Sequence, residues 1–324
     1  MSASALFLQL GATVLAGIAA RKAIALLPGG PPAAECLRTT LNRLVLWITM
    51  PALVFVTVHA APLAPDLVQA PLAAMTGMAG TALVAWLLLG RLYGPTRQTG
   101  GLVLAASVGS VSFFGIPIVR ALFGPEETRV AVYFAVLNVP LAILAAAIIS
   151  SRIEPGRHGQ TWRASLAGVA QTALRRFLTL PVTWALFAGL ALGHVAVPAE
   201  LQHGLKLAAD SVAPTTMFAL GLGLRFERAL TPYRMALPAA LIKLAISPAV
   251  VFLCAWTVGL SGLPLAIVSL QGAMPTQVLG IVVAEQFRLD SRLVGLTLAL
   301  DSALAFVLLP GITSVIRATT GTLA

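Results

Sequence analysis

The sequence predicts an all-α polytopic membrane protein with ten transmembrane helices. Of its 324 residues, 58% are hydrophobic and only 10% are charged, against roughly 25% in an average soluble domain. A chain of this composition has too little polar surface to cover a soluble fold. At about 30 residues per membrane pass, it has room for about ten passes and for no sizeable soluble domain.

Charge, cysteines and motifs exclude several classes of protein. The net charge of +10 suggests nucleic acid in a soluble protein, but basic residues also collect in the cytoplasmic loops of membrane proteins, so we expect no nucleic-acid partner. Cys36 and Cys254 cannot form a disulfide framework, and no His/Cys cluster has zinc spacing. We therefore predict no metal and no cofactor. No motif of an intramembrane protease or hydrolase is present, so no catalytic residue is predicted.

Ten apolar stretches have the length of a membrane span, and we number them 1 to 10 along the chain. They are 4–27, 41–60, 67–90, 100–122, 129–150, 178–197, 203–224, 235–259, 263–285 and 293–316. Span 1 follows no basic segment, so we expect a retained helix and not a cleaved signal peptide. The uncharged run 244–284 is too long for one helix, and Gly and Pro residues at 259–264 divide it.

The basic residues alternate between the two sides of the membrane. Sixteen of the 21 Lys and Arg residues lie in the connections after spans 1, 3, 5, 7 and 9, and three lie on the opposite side. The positive-inside rule therefore places both termini outside. Five spans per half also imply that the second half enters the membrane upside down. We expect one five-helix repeat over 1–150, a cytoplasmic linker over 151–177 and an inverted repeat over 178–324.

Residual symmetry supports this division. A shift of 163 residues places Pro51 on Pro214, and it aligns the segment 129–138 with 292–301. Under that shift Asn138 corresponds to Asp301. Inverted repeats of this kind are typical of secondary transporters.

Spans 4 and 9 each carry Gly, Pro and small polar residues at mid-span. Proline removes a backbone donor, and broken backbone is tolerated in a membrane only where it is buried or lines a wet cavity. A matched pair of broken helices indicates a transporter's binding site, where free amides at half-helix N-termini face an anion. Ordinary proline kinks that allow close packing are the alternative. The predicted substrate-binding residues are Ser110, Ser112, Gly115, Pro117, Pro275, Thr276 and Gln277.

Ionisable residues inside spans are costly and usually functional. Lys243 in span 8 and Asp301 in span 10 are either a structural pair or a working pair. In the working pair, Lys243 neutralises the substrate and Asp301 binds a coupling proton or Na⁺. Asn138, which aligns with Asp301, cannot titrate, so only the second half of the chain would carry such a coupling site. Lys206 and Asp210, four residues apart in span 7, have the spacing of a helical ion pair.

Several segments form a pattern that covers essentially the whole chain. They are 42–51 with Phe55, 112–117 with Phe123 and Gly124, 213–224, 243–248, 273–276 with Ala284, and the last span up to Pro310. In their order and spacing these segments resemble the auxin efflux carrier family in its bacterial branch. Where that family often has Asn in the break of span 4, this chain has Ser110 and Ser112, and Ser offers one hydroxyl in place of a carbonyl and an amide.

The resemblance implies a fold and a function. Spans 4 and 9 would cross, spans 1, 2, 6 and 7 would form a scaffold, and spans 3–5 and 8–10 a transport domain moving by an elevator mechanism. The protein would be a homodimer through its scaffold, surrounded by lipid in the bacterial inner (plasma) membrane. Its substrate would be a small organic anion, malonate- or malate-like or auxin-like. A sodium-coupled bile-acid-type symporter, an intramembrane enzyme and a non-transporting membrane protein remain as alternatives.

Overall fold

A computed structural model describes residues 3–26, 30–60, 64–153, 162–193, 195–224 and 231–320. Over these residues the chain is helical, with one isolated β-bridge and no strand. The α-helices are α1 Ala3–Ala25, α2 Gly30–Leu44, α3 Met50–His59, α4 Asp66–Tyr93, α5 Arg97–Ser107, α6 Ile116–Phe123, α7 Thr128–Ala135, α8 Asn138–Ile153, α9 Trp162–Thr179, α10 Pro181–Ala191, α11 Ala199–Asp210, α12 Val212–Gly223, α13 Thr231–Leu241, α14 Ser247–Thr257, α15 Gly262–Gly272, α16 Leu279–Gln286 and α17 Ser291–Thr320.

Three π-helical turns interrupt the described helices, each just before a proline. They are Val45–Thr49, Val111–Gly115 and Ile242–Ile246, and the helices that follow carry Pro51, Pro117 and Pro248 at their second residue. Proline has no N–H and its ring clashes with the carbonyl four residues earlier. A wider turn relieves that clash, which is why prolines and π-helical turns occur together at helix irregularities.

The contacts divide the chain into two compact units. Unit 1 consists of Met1–Ala64, Ser112–Val132 and Leu180–Arg225, and unit 2 of Pro65–Val111, Tyr133–Thr179 and Phe226–Ala324. Unit 1 holds the elements of spans 1, 2, 6 and 7, and unit 2 those of spans 3, 8, 9 and 10 and nearly all of span 5. Span 4 is shared, because the boundary falls after Val111, inside a π-helical turn.

Unit 1 is held by close helix packing and by two arginines. An added Cβ on Gly17 of α1 would lie 3.0 Å from the Cα of Gly221 of α12, so only glycine fits where these helices approach each other. Arg21 donates to the carbonyl oxygen of Leu224 at 2.5 Å, just past the end of α12. Arg120 pairs with Asp210 at 2.7 Å. Among the described ion pairs, the partner of Asp210 is therefore Arg120 and not Lys206, which the spacing suggested.

Unit 2 is built around α5. Every residue of this helix from Thr99 to Ser107 is buried, and a helix that is covered on all sides belongs to a core. Thr96 caps its start by accepting a hydrogen bond from the backbone N–H of Thr99 at 3.2 Å. Helices α4, α8, α13 and α17 pack against α5, and their apolar residues complete the core.

Six described helical stretches are long and apolar enough to cross a membrane. They coincide with spans 1, 2, 3, 5, 8 and 10. The other four spans are divided into shorter helices: span 4 at 108–110, span 6 at Leu180, span 7 at Ser211 and span 9 at 273–278. Helix α9 occupies much of the predicted linker 151–177. The all-helical membrane fold is therefore confirmed, and the count of ten crossings stays a prediction.

Candidate functional site

Spans 4 and 9 meet at their breaks, 108–110 and 273–278, through residues of unit 2. Gly109 and Thr276 form an antiparallel bridge. The backbone N–H of Ser110 donates to the carbonyl oxygen of Pro275 at 2.7 Å, and the N–H of Gln277 donates to that of Val108 at 3.1 Å. Backbone groups released by one break are thus satisfied by the other, as buried polar groups must be where water is absent.

The bridge between 108–110 and 275–277 forms a joint between the two breaks, and three amides of this joint are not free to face an anion. Ser110 and Gln277 donate their N–H groups across the bridge, and Thr276 donates its N–H to Oδ2 of Asp301 at 2.9 Å. The expectation of free half-helix amides is wrong for these three residues, because the breaks pair with each other.

The side-chain amide of Asn138 stabilises the joint by hydrogen bonds to both breaks. Its side-chain nitrogen Nδ2 donates to the carbonyl oxygen of Gly109 at 3.0 Å and to Oε1 of Gln277 at 2.8 Å. Asn138 is buried at the first residue of α8, directly after the interruption at 136–137. One amide group thereby links a break in each half of the chain.

The carboxyl group of Asp301, on α17, stabilises the joint through hydrogen bonds with Thr276. Its Oδ2 accepts the N–H of Thr276 and lies 2.5 Å from the Thr276 hydroxyl oxygen, Oγ1. The same hydroxyl oxygen lies 3.0 Å from the carbonyl oxygen of Ala105, in the last turn of α5. Oδ1 of Asp301 is buried and has no hydrogen-bond partner among the described residues. Asp301 and Thr276 are both fully buried.

Lys243 brings a positive charge to the joint from the turn Ile242–Ile246. It is 2% exposed, and a Cβ built on Gly109 would lie 2.9 Å from its Nζ. The ammonium group therefore occupies the space that the missing side chain of Gly109 leaves open. Lys243 and Asp301 interact electrostatically, but no direct contact joins them among the described ion pairs.

A small cavity lies beside this joint, within unit 2. It offers about 20 Å³ to the centre of a water molecule, enough for one or two waters, since one needs about 10–15 Å³ by that measure. The polar residues of its lining are Ser107, Asn138, Lys243, Ser247 and Gln271. The lining thus combines one cation with neutral hydrogen-bonding groups, and it includes no carboxylate.

The structure separates the predicted substrate-binding residues into two groups. Ser110, Pro275, Thr276 and Gln277 belong to unit 2, together with Asn138, Lys243 and Asp301, whereas Ser112, Gly115 and Pro117 belong to unit 1. The bridge brings together the four predicted substrate-binding residues of unit 2, namely Ser110, Pro275, Thr276 and Gln277. The described residues contain no group of three or more His, Cys, Asp or Glu side chains able to hold a metal ion.

Four residues of this region were not predicted from the sequence. Ser107, Ser247 and Gln271 line the cavity, and Gly109 makes room for Lys243. Ser247 directly precedes Pro248 and Gln271 lies just before the break of span 9, so proximity to a helix irregularity was the available signal. Gly109 gave no signal, because its role depends on a lysine 134 positions away.

Comparison with known proteins agrees with this architecture. A family model described as a membrane transport protein matches residues 35–313. An uncharacterized transporter of Methanothermobacter thermautotrophicus is 25% identical over 275 residues, which cover 84% of this chain and 87% of the relative. An uncharacterized transporter of Methanocaldococcus jannaschii is 20% identical over 275 residues, covering 83% of this chain and 86% of the relative.

An apolar chain that is helical over its described residues and has this match is a multi-pass membrane transport protein. It belongs to the membrane transport protein family, the auxin efflux carrier family. The family resemblance seen in the sequence is thereby confirmed.

Proposed function

We propose that the protein is a secondary active transporter that carries a small organic anion by elevator-type alternating access. One observation carries the proposal: Lys243 is buried at a small cavity beside the two joined breaks, and the lining of that cavity contains no carboxylate. A charge inside a membrane protein is costly and is kept where it binds something. A carboxylate substrate would bring to this cavity the negative charge that its lining lacks.

The joined breaks support a binding site at this place. Gly109 leaves space for the ammonium group, and Gln277, whose Oε1 is held by Asn138, brings a side-chain amide group to the same joint. Ammonium and amide groups are hydrogen-bond donors, which a carboxylate needs. The cavity of about 20 Å³ is smaller than malonate or malate, so loading requires the site to open. Opening and closing around a substrate is what alternating access requires.

The two compact units support an elevator. Unit 1 corresponds to the proposed scaffold spans 1, 2, 6 and 7, and unit 2, which contains the cavity, to most of the proposed transport domain. In this proposal ten spans form two inverted repeats, spans 4 and 9 cross at the bridge, and unit 2 moves with its cargo. The protein works as a homodimer through unit 1, in the inner membrane, with both termini outside.

A ligand screen tests the proposal. Purified protein is heated with a series of short mono- and dicarboxylates, with and without sodium and at two pH values. We expect carboxylates to raise the unfolding temperature, because a ligand stabilises the state that binds it. Lys243→Met should abolish that shift. Lys206→Met, which removes an exposed lysine of unit 1, is the matched control and should keep it.

Transport is measured separately in proteoliposomes with the carboxylate that binds best. Accumulation driven by a pH or sodium gradient, lost in Lys243→Met, is the expected result. Stabilisation that depends strictly on sodium would favour a bile-acid-type symporter. Binding without transport, or no stabilisation by any carboxylate, would refute the proposed function.

A further inference from the structure

The hydroxyl group of Thr276 has two acceptors and one proton. Its Oγ1 lies 3.0 Å from the carbonyl oxygen of Ala105 and 2.5 Å from Oδ2 of Asp301. A carbonyl oxygen only accepts, and so does an ionised carboxylate. With Asp301 ionised, the hydroxyl can serve one of these two oxygens and leaves the other without its proton. Thr276 can therefore satisfy both acceptors only if a second proton is present.

A proton on Asp301 completes the arrangement. The acid O–H at Oδ2 then donates to Oγ1 of Thr276, and the Thr276 O–H donates to the carbonyl oxygen of Ala105. That carbonyl belongs to the last turn of α5, where helical carbonyls have no partner within the helix. The Thr276 N–H still donates to Oδ2 at 2.9 Å, because a protonated oxygen keeps a lone pair.

We infer that Asp301 carries the coupling ion as a proton on Oδ2, and that Thr276 relays its presence to α5. The carboxylate takes up H⁺ and becomes the neutral acid, and it releases the same H⁺ on the other side of the membrane. When the proton leaves, the Thr276 hydroxyl turns to the carboxylate and the Ala105 carbonyl loses its donor. Deprotonation thereby loosens the contact between the break 273–278 and α5.

Lys243 extends this relay to the substrate. It is the described charged group that acts on the Asp301 carboxyl. Once Asp301 is neutral, the Lys243 ammonium at the cavity has lost its counter-charge, and a carboxylate substrate replaces it. Proton and anion therefore bind together and each raises the affinity for the other, since coupling between two sites is reciprocal. This inference rests on the proposed function and specifies its coupling ion.

Five elements pack against α17 and surround Asp301. They are α5, α13, α15, α16 and the turn Ile242–Ile246. Besides Lys243, the described titratable residues on them and on α17 itself are Arg97, Tyr233, Arg234, Glu285 and Arg292, and none of these acts on the Asp301 carboxyl. The local charge balance therefore involves Lys243, Asp301 and the bound anion.

Sodium is the competing occupant. Oδ1 of Asp301 and Oγ of Ser302 are buried and have no hydrogen-bond partner among the described residues, and a hard cation binds through several oxygens. The other carboxyl oxygen, however, receives the Thr276 N–H, which repels a metal ion and still allows an O–H.

Infrared spectroscopy of the purified full-length protein tests the relay without any substrate. A protonated carboxyl group has a C=O stretching band that a carboxylate lacks. We expect a band that appears as the pH falls, is absent in Asp301→Asn, shifts in Thr276→Val and is retained in Thr276→Ser. Thr313→Val removes a buried hydroxyl that bonds within α17 and is the matched control. If Asp301→Asn fails to fold, the Thr276 pair still decides the outcome.

The relay is overturned if no pH-dependent carboxyl band is lost in Asp301→Asn, if Thr276→Val leaves the band unshifted, or if sodium removes the band at constant pH.

A second measurement uses malonate as the probe. Its affinity should rise as the pH falls, by at most about tenfold per pH unit, the limit for one bound proton, and Asp301→Asn should abolish that dependence. Failure of malonate to bind, with the band present, would count against the proposed substrate and not against the relay.

Discussion

Asn138 donates a hydrogen bond of 2.8 Å to Gln277, a residue 139 positions further along the chain. Asp301 makes the corresponding connection to Thr276 at the same bridge. Asn138 and Asp301 are also the residues that a shift of 163 positions aligns. Each break is therefore held by one polar side chain from an aligned position, which supports the proposed inverted repeat. Only one of the two can titrate.

The first prediction concerns the stability of the joint. Asn138→Ala removes the donor of the Gly109 carbonyl and of Oε1 of Gln277, and both are buried. We expect the free energy of unfolding to fall by about 1–3 kcal/mol, the cost of a buried acceptor left unsatisfied. Denaturant unfolding in detergent measures it. Thr172→Ala, at a half-buried residue whose hydroxyl makes an exposed hydrogen bond, should change stability by less than about 0.5 kcal/mol, and an equal loss in both variants would contradict the prediction.

The second prediction concerns the space beside Lys243. Gly109→Ala places a methyl group 2.9 Å from Nζ and 3.2 Å from the carbonyl oxygen of Met274. The lysine must move away, so we expect carboxylate affinity to fall about tenfold, or about 1.4 kcal/mol. Isothermal calorimetry with the best carboxylate measures it. Gly168→Ala has open space around it and serves as the control; unchanged affinity in Gly109→Ala would show that Lys243 does not bind the anion.

The third prediction separates a working Asp301 from a structural one. We expect Asp301→Asn to fold, to bind the anion, and to lose the pH or cation dependence of uptake. A purely structural pair behaves differently, because removal of one buried partner strands the other charge and costs about 3–5 kcal/mol. Thermal unfolding and uptake are measured for Asp301→Asn, Lys243→Met and the double variant. Strong destabilisation that the double variant repairs would sink the coupling role, as would a stable Asp301→Asn carrier with unchanged dependence.

The fourth prediction concerns topology. The connection 151–177 is expected in the cytoplasm, because five of the 21 basic residues lie in it. After replacement of Cys36 and Cys254, a single cysteine is placed at the partly exposed Thr172. An impermeant thiol reagent should label it in broken cells and not in intact cells. Labelling from outside in intact cells would invert the proposed orientation.

The sequence by itself determined the class of fold and the places where helices break. Apolar composition forces a helical membrane fold, since each helix satisfies its own backbone in lipid. Gly and Pro near Gly109 and Pro275 end α5 and α15, because a missing N–H or a missing side chain acts within one turn. The same local chemistry made Lys243 and Asp301 conspicuous, as charges in apolar surroundings.

Only the tertiary structure decided what these local features contact. The bridge joins Gly109 to Thr276, and Asp301 accepts the backbone N–H of Thr276. The tertiary contacts also assign Ser112 and Pro117 to unit 1 and Ser110 to unit 2. Composition and periodicity describe neighbours along one helix, whereas these contacts join residues that are distant in sequence. Which buried donor satisfies which acceptor depends on how the helices pack, and that packing is a property of the whole chain.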